Sequence, residues 1–174
     1  RMGLPGVELR VVRKDGEDAA AGEVGEIWLR CESLMLGYLD DEQATRAAVT
    51  DDGWYRSGDL VRVDEDGYLF VVDRTKDMIV TGGENVYSKE VEDALSAQPA
   101  IADVAVVGRP HPEWGETVVA HVVLRKNAPP TTADTLREYL APRLAKYKIP
   151  REYVFADVLP RTSTGKLQKY MLRA

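Results

Sequence analysis

Two valine-dense segments, 101–108 and 117–124, set the strongest limit on what this chain can fold into. Val104, Val106, Val107, Val118, Val119, Val122 and Val123 supply the β-branched side chains that fit a pleated, packed surface. A sheet is therefore expected in the second half, and helical patterns flank it. Ser88 is read as opening a helix, with Glu90 and Glu92 in its first turn and Val91, Ala94 and Leu95 as its apolar stripe. Segment 133–147 carries Leu136, Leu140 and Leu144 at helical spacing, with Pro142 as an irregularity. Short strands are expected at 78–80, 153–155 and 158–159, and a last helix at 167–173. The order β-α-β-β-α-β-α describes a small α+β domain of about a hundred residues.

The first half is strand-rich. Segments 7–12 and 25–30 read as strands, and 40–49 as a short helix with Asp40 or Asp41 as N-cap. Segments 60–63 and 68–72 flank Asp64-Glu65-Asp66-Gly67, a hairpin signal in which Gly67 can take a positive φ.

Composition narrows the function classes. The chain has 174 residues, 44% of them apolar, enough for a packed core. Its net charge of −6, with both signs interspersed, excludes the basic face of a nucleic-acid binder; Lys and Arg gather only between Arg143 and Arg173. Cys31 is the only cysteine, so no intrachain disulfide forms and nothing points to secretion. No apolar run has membrane-spanning length, and no signal-peptide layout opens the sequence. A chain that begins at Arg1 and runs at once into a strand pattern is expected to be cut from a longer, cytoplasmic protein. His111 and His121 have no Cys or carboxylate at metal-ligand spacing, so no metal site is expected in this chain.

Three segments carry chemistry. Tyr55-Arg56-Ser57-Gly58-Asp59 sets a carboxylate beside a glycine, where it can accept two hydrogen bonds from a vicinal diol or simply cap a turn. In 73–85, Arg74 can pair with Asp59, Asp73 or a phosphate, and Gly82-Gly83 allows a tight turn or the close approach of a ligand. Pro160-Arg161-Thr162-Ser163-Thr164-Gly165-Lys166 is a loop that can deliver an ammonium to a phosphate or carboxylate. It is not a Walker loop, because it lacks the spaced glycines and the hydroxyl residue after the lysine.

In this order and spacing, joined by Glu90-Val91-Glu92, Trp114-Gly115-Glu116 and 144–150, these segments resemble the adenylate-forming superfamily. That superfamily holds acyl-CoA synthetases, luciferases and peptide-synthetase adenylation domains. The resemblance covers essentially the whole chain, and Gly82-Gly83-Glu84-Asn85-Val86-Tyr87 is most similar to fatty acyl-CoA and aryl-CoA ligases. It implies a large N-terminal domain followed by a small mobile one. Residues 1–75 would be the end of a β-barrel-like subdomain of the large domain, 76–174 the small domain, and Lys76 the hinge.

The implied reaction joins a carboxylic acid to ATP as an acyl-adenylate, then to CoA with release of AMP. Asp59 and Arg74 would bind the nucleotide, and Lys166 would be catalytic. Gly82 and Gly83 would line the pantetheine channel, while Trp114, Tyr147 and Arg151 would meet the nucleotide end of CoA. Mg2+ would arrive with ATP on residues of the upstream part of the enzyme, which would also hold the phosphate loop and the acyl pocket. The chain alone is then expected to be inactive. The resemblance also implies that acetylation of Lys166 would silence the enzyme by removing its charge. Two other readings stand beside this one: an enzyme that loads a carrier protein, and a non-catalytic docking module.

Overall fold

The computed structural model describes residues 5–173, and the chain divides into two units, Arg1–Lys76 and Asp77–Ala174. In the first, strands β1 (Glu8–Val12), β2 (Val24–Arg30), β3 (Tyr55–Val63) and β4 (Leu69–Arg74) form an antiparallel meander in that order. Val11, Val12, Trp54, Leu60 and Val61 are its buried apolar side chains. A register shift between Leu60 and Val61 passes over Val72 and sets Asp59 opposite Arg74. The sheet is open: β1 and β4 are its edges, and no barrel closes among the described residues. Helix α1 (Glu42–Ala48) is capped by Asp41, whose Oδ1 accepts from Ala44 N–H at 2.8 Å.

The hairpin between β3 and β4 closes as its sequence signal predicts. Asp64 N–H donates to the Tyr68 carbonyl and Gly67 N–H to the Asp64 carbonyl, each at 3.0 Å. Asp64 Oδ1 accepts from Tyr68 N–H at 2.8 Å, and Gly67 has φ 80°. A type I turn completed by a left-handed glycine produces this pattern.

The second unit contains β5 (Ile79–Thr81), β6 (Glu84–Val86), α2 (Ser88–Ser96), β7 (Ile101–His111), β8 (Gly115–Leu124), α3 (Ala133–Leu140) and β9 (Glu152–Phe155). The valine-dense segments pair as β7 and β8 along their whole length, from Ile101 opposite Leu124 to His111 opposite Gly115. The sheet runs β6-β5-β8-β7, and β9 adds in parallel to β8. Val91 and Leu95 of α2 and Leu136 and Leu140 of α3 pack onto Val104, Val106, Val118, Ala120 and Val122. Ala105, Val107, Val119 and His121 alternate with these and are buried too, so both faces of the hairpin are covered. Burying one such Leu or Val side chain is worth roughly 1.5–3 kcal/mol, which makes this hairpin the stiffest part of the unit.

Several local expectations fail for physical reasons. The helix at 133–147 stops at Leu140, because Pro142 cannot continue it, and a short 3-10 turn, Lys146–Lys148, follows separately. Ser88 does open α2, with Tyr87 as the N-cap, and the Ser88 hydroxyl accepts from Lys169 Nζ at 2.7 Å. Segment 158–159 forms no strand, and the expected terminal helix is only the 3-10 turn Lys169–Leu172. Strand β6 is an addition to the expected order, and β3 starts at Tyr55, so Asp59 sits within a strand and not in a turn.

Candidate active site

Asp59 and Arg74 face each other across β3 and β4, and Arg74 Nε meets Asp59 Oδ1 at 2.9 Å. Local bonding explains why Asp59 is held there. The Ser57 hydroxyl donates to the Ile27 carbonyl at 2.7 Å and accepts from Asp59 N–H at 3.0 Å. Gly58 has φ 74°, donates to Glu26 Oε1 at 2.8 Å, and accepts from Thr75 N–H at 2.8 Å. Arg74 also donates to the Ser57 carbonyl at 3.3 Å. Half of each ionic side chain is open to solvent, so the pair contributes little stability and leaves a carboxylate and a guanidinium free to bind a ligand.

Lys166 stands at the end of a second left-handed-glycine turn. Thr162 N–H donates to the Lys166 carbonyl at 2.8 Å, Gly165 N–H to the Thr162 carbonyl at 2.9 Å, and Lys166 N–H to Thr162 Oγ1 at 3.0 Å. Gly165 has φ 83°. The lysine is exposed, and its ammonium is in no ion pair among the described residues. The flanks are anchored: Gln168 N–H donates to the Pro160 carbonyl at 2.9 Å, and Lys169 pairs with the sheltered Glu92 at 2.7 Å. Glu92 in turn accepts from Val106 N–H of the core hairpin at 2.7 Å.

Gly82 and Gly83 form the two-residue connection between β5 and β6, with φ of 59° and 86°, and a Cβ on either would meet open space. The start of β8 holds this turn. Gly82 N–H donates to the Trp114 carbonyl at 2.9 Å, and Val80 N–H to Glu116 Oε2 at 2.7 Å. Trp114 is stacked on His111 at 4.0 Å, nearly parallel, and the Arg151 guanidinium lies 3.5 Å from the ring centre. Both partners fit only on opposite faces, so the indole is enclosed and the outer face of the stack is Arg151. The structure brings Trp114 and Arg151 together. Tyr147 is 42% exposed, with Lys148 Nζ 5.8 Å from its ring centre, and Lys148 itself pairs with Glu90. Lys76 is the last residue of the first unit and is exposed.

Residues 90–166 match the family model described as the C-terminal domain of AMP-binding enzymes. The chain carries the C-terminal domain of an AMP-binding enzyme. The matched segment ends on Lys166. The indoleacetate–CoA ligase of Aromatoleum aromaticum is 47% identical over 95% of the chain, which covers 32% of that ligase. ATP-bound MatB from Rhodopseudomonas palustris superposes with a TM-score of 0.89 at 40% identity, over 98% of this chain and 34% of that one. The o-succinylbenzoate CoA synthetase of Bacillus subtilis, in complex with its acyl-adenylate intermediate, superposes with a TM-score of 0.88 at 38% identity over the same shares of the two chains. This AMP-binding enzyme domain, with the strands before it, thus spans about a third of the length of the relatives it matches.

Sequence reasoning missed several residues that build the site. Asp103 and Lys169 lie outside the motifs, and Arg161, Glu116 and Glu92 lie within them without a role that the sequence assigns. His121 is buried, and burial together with the nearby Arg109 lowers its pKa below the usual imidazole value. His111 accepts from the Glu113 and Trp114 backbone N–H groups at 3.2 and 3.4 Å through Nδ1, so its ring is fixed as the floor of the stack. Among the described residues no three His, Cys, Asp or Glu side chains gather as a metal site, and none of the helices is long and apolar enough to cross a membrane.

Proposed function

We propose that this chain is the C-terminal third of a cytoplasmic, AMP-forming acid–thiol ligase that activates a fatty or aryl acid as its acyl-adenylate and transfers it to CoA. The observation that carries this reading is Lys166: an exposed ammonium outside any ion pair among the described residues, on a closed turn, at the end of the segment shared with AMP-binding enzymes. When the acid attacks the α-phosphate, charge gathers on the phosphoryl oxygens, and a pre-placed ammonium stabilises it. Asp59 accepts hydrogen bonds from the ribose hydroxyls, and Arg74 orients that carboxylate while reaching toward ribose and phosphate. Mg2+ would arrive with the nucleotide and be held by residues of the upstream part of the enzyme.

Residues 1–75 act as the end of the large domain and 76–174 as the mobile small domain, with Lys76 as hinge. The division of the chain between Lys76 and Asp77 supports a pivot there. After adenylation, rotation withdraws Lys166 and brings the Gly82–Gly83 turn to the pantetheine channel, where the open space beside both glycines suits a narrow ligand. The adenine of CoA rests on the exposed plane of Arg151, with Trp114 behind it, and Tyr147 is a further contact for the nucleotide end.

The test is ATP–pyrophosphate exchange over a panel of fatty and aromatic acids. It uses the enzyme carrying this chain together with the upstream two thirds that its relatives have, with and without Lys166→Ala. Acid-dependent exchange that the substitution abolishes is the expected result. Exchange that survives it removes Lys166 from the mechanism.

A further inference from the structure

A guanidinium ties the turn that carries Lys166 to the core sheet, beside the Lys169–Glu92 anchor on its flank. We propose that Arg161 and Asp103 are positioning residues for Lys166 in the adenylation step, an inference that rests on the function proposed above. Arg161 Nη1 donates to the Gly165 carbonyl at 2.9 Å, and Nη2 donates to Asp103 Oδ2 at 2.6 Å. One planar fork therefore joins the residue before Lys166 to the first residues of β7. Asp103 is fixed in its turn. Its Oδ1 accepts from Val104 N–H at 3.0 Å, and the ladder holds its backbone opposite Val123, next to a register shift that leaves Ala102 unpaired.

The energetics point to geometry and not to stability as the purpose. Arg161 and Asp103 are 42% and 34% exposed, and ion pairs so open contribute little to folding. The turn needs neither residue to close, because Thr162, Gly165 and Lys166 bond among themselves. Those bonds lie within the turn, and the Lys169–Glu92 pair holds only the chain after it. The Arg161 fork sets the direction of the turn relative to the sheet by gripping the Gly165 carbonyl, and β7 is a stiff anchor because both its faces are buried. An ammonium that must meet a phosphoryl oxygen loses effect steeply when displaced by an ångström.

Two half-reactions separate positioning from folding. Asp103→Ala and Arg161→Met each lower ATP–pyrophosphate exchange by about tenfold or more, since both release the turn. Thioester formation from a synthetic acyl-adenylate and CoA, which does not use Lys166, stays at the wild-type rate in both. Asp103→Glu, which can re-form the pair, restores most of the exchange. Equal loss in the two half-reactions overturns the inference, because a general folding defect then explains both. Wild-type exchange in Asp103→Ala, beside a dead Lys166→Ala, overturns the inference while leaving the proposed function standing. Exchange that persists in Lys166→Ala removes the proposed function, and the inference falls with it.

Discussion

The turns 64–68 and 162–166 share the same backbone bonds, one in each unit of the chain. Both place a glycine at position four with φ near 80°, and in both the first residue's side chain accepts from the N–H of the fifth. They differ in what lies around them. The first ends on Tyr68, and among the described residues no side chain outside that turn bonds to it. The second ends on Lys166 and is gripped by Arg161 from one side, while Lys169, three residues on, is anchored to Glu92 and Ser88. Local chemistry therefore makes the turn, and only long-range contacts make it a device that aims a charge.

The comparison breaks most severely at the partly buried anchor. Glu92→Met removes the carboxylate that Lys169 and the Val106 N–H share and leaves Lys169 the Ser88 hydroxyl, at a cost of roughly 1–3 kcal/mol. Chemical denaturation should show the second unit's transition shifted by that amount, with the first unit's unchanged. Lys166→Ala comes next: adenylation falls by about 100-fold or more, whereas Tyr68→Ala at the equivalent place leaves pyrophosphate exchange intact. Kinetics on the two variants, side by side, checks this.

Glycine substitution sharpens the comparison further. Gly67→Ala and Gly165→Ala each introduce a Cβ into open space at positive φ, so each costs about 1–2 kcal/mol of backbone strain and no more. Equal destabilisation with slower adenylation only for Gly165→Ala is the expected outcome.

The smallest effect is a pH dependence confined to the second unit, which holds both histidines. The pKa of His121 is lowered in the folded state by burial and by Arg109, so the unfolded chain binds its proton more readily. Its contribution to stability is complete above the ordinary imidazole value of 6.5 and is lost as pH falls below it. A second-unit transition that weakens between pH 7 and 5, with a smaller slope in His121→Gln, is expected by calorimetry across that range.

Much of the site was legible because it depends on neighbours in sequence. The pattern Thr162-Ser163-Thr164-Gly165-Lys166 contains its own turn chemistry, as Asp64-Glu65-Asp66-Gly67 does. The Gly82-Gly83 pair specifies a connection in which both residues take positive φ. The pairing of Asp59 with Arg74 was one of several that the sequence left open, and the register across β3 and β4 selected it. Ser88 opens its helix as its sequence position predicts, but the partner of its hydroxyl, a lysine 81 positions away, was not legible.

What the chain determined by itself was periodicity and turn chemistry. The valine runs had to form strands, and the turn glycines had to occupy left-handed positions, because each follows from the backbone sterics of a few adjacent residues. The tertiary structure alone decided that Arg161 grips Asp103, 58 residues away, and that Arg151 and His111 enclose Trp114. Those contacts join charges and rings of ordinary composition. Nothing in one-dimensional spacing distinguishes them until a stiff, doubly buried hairpin brings them within bonding distance.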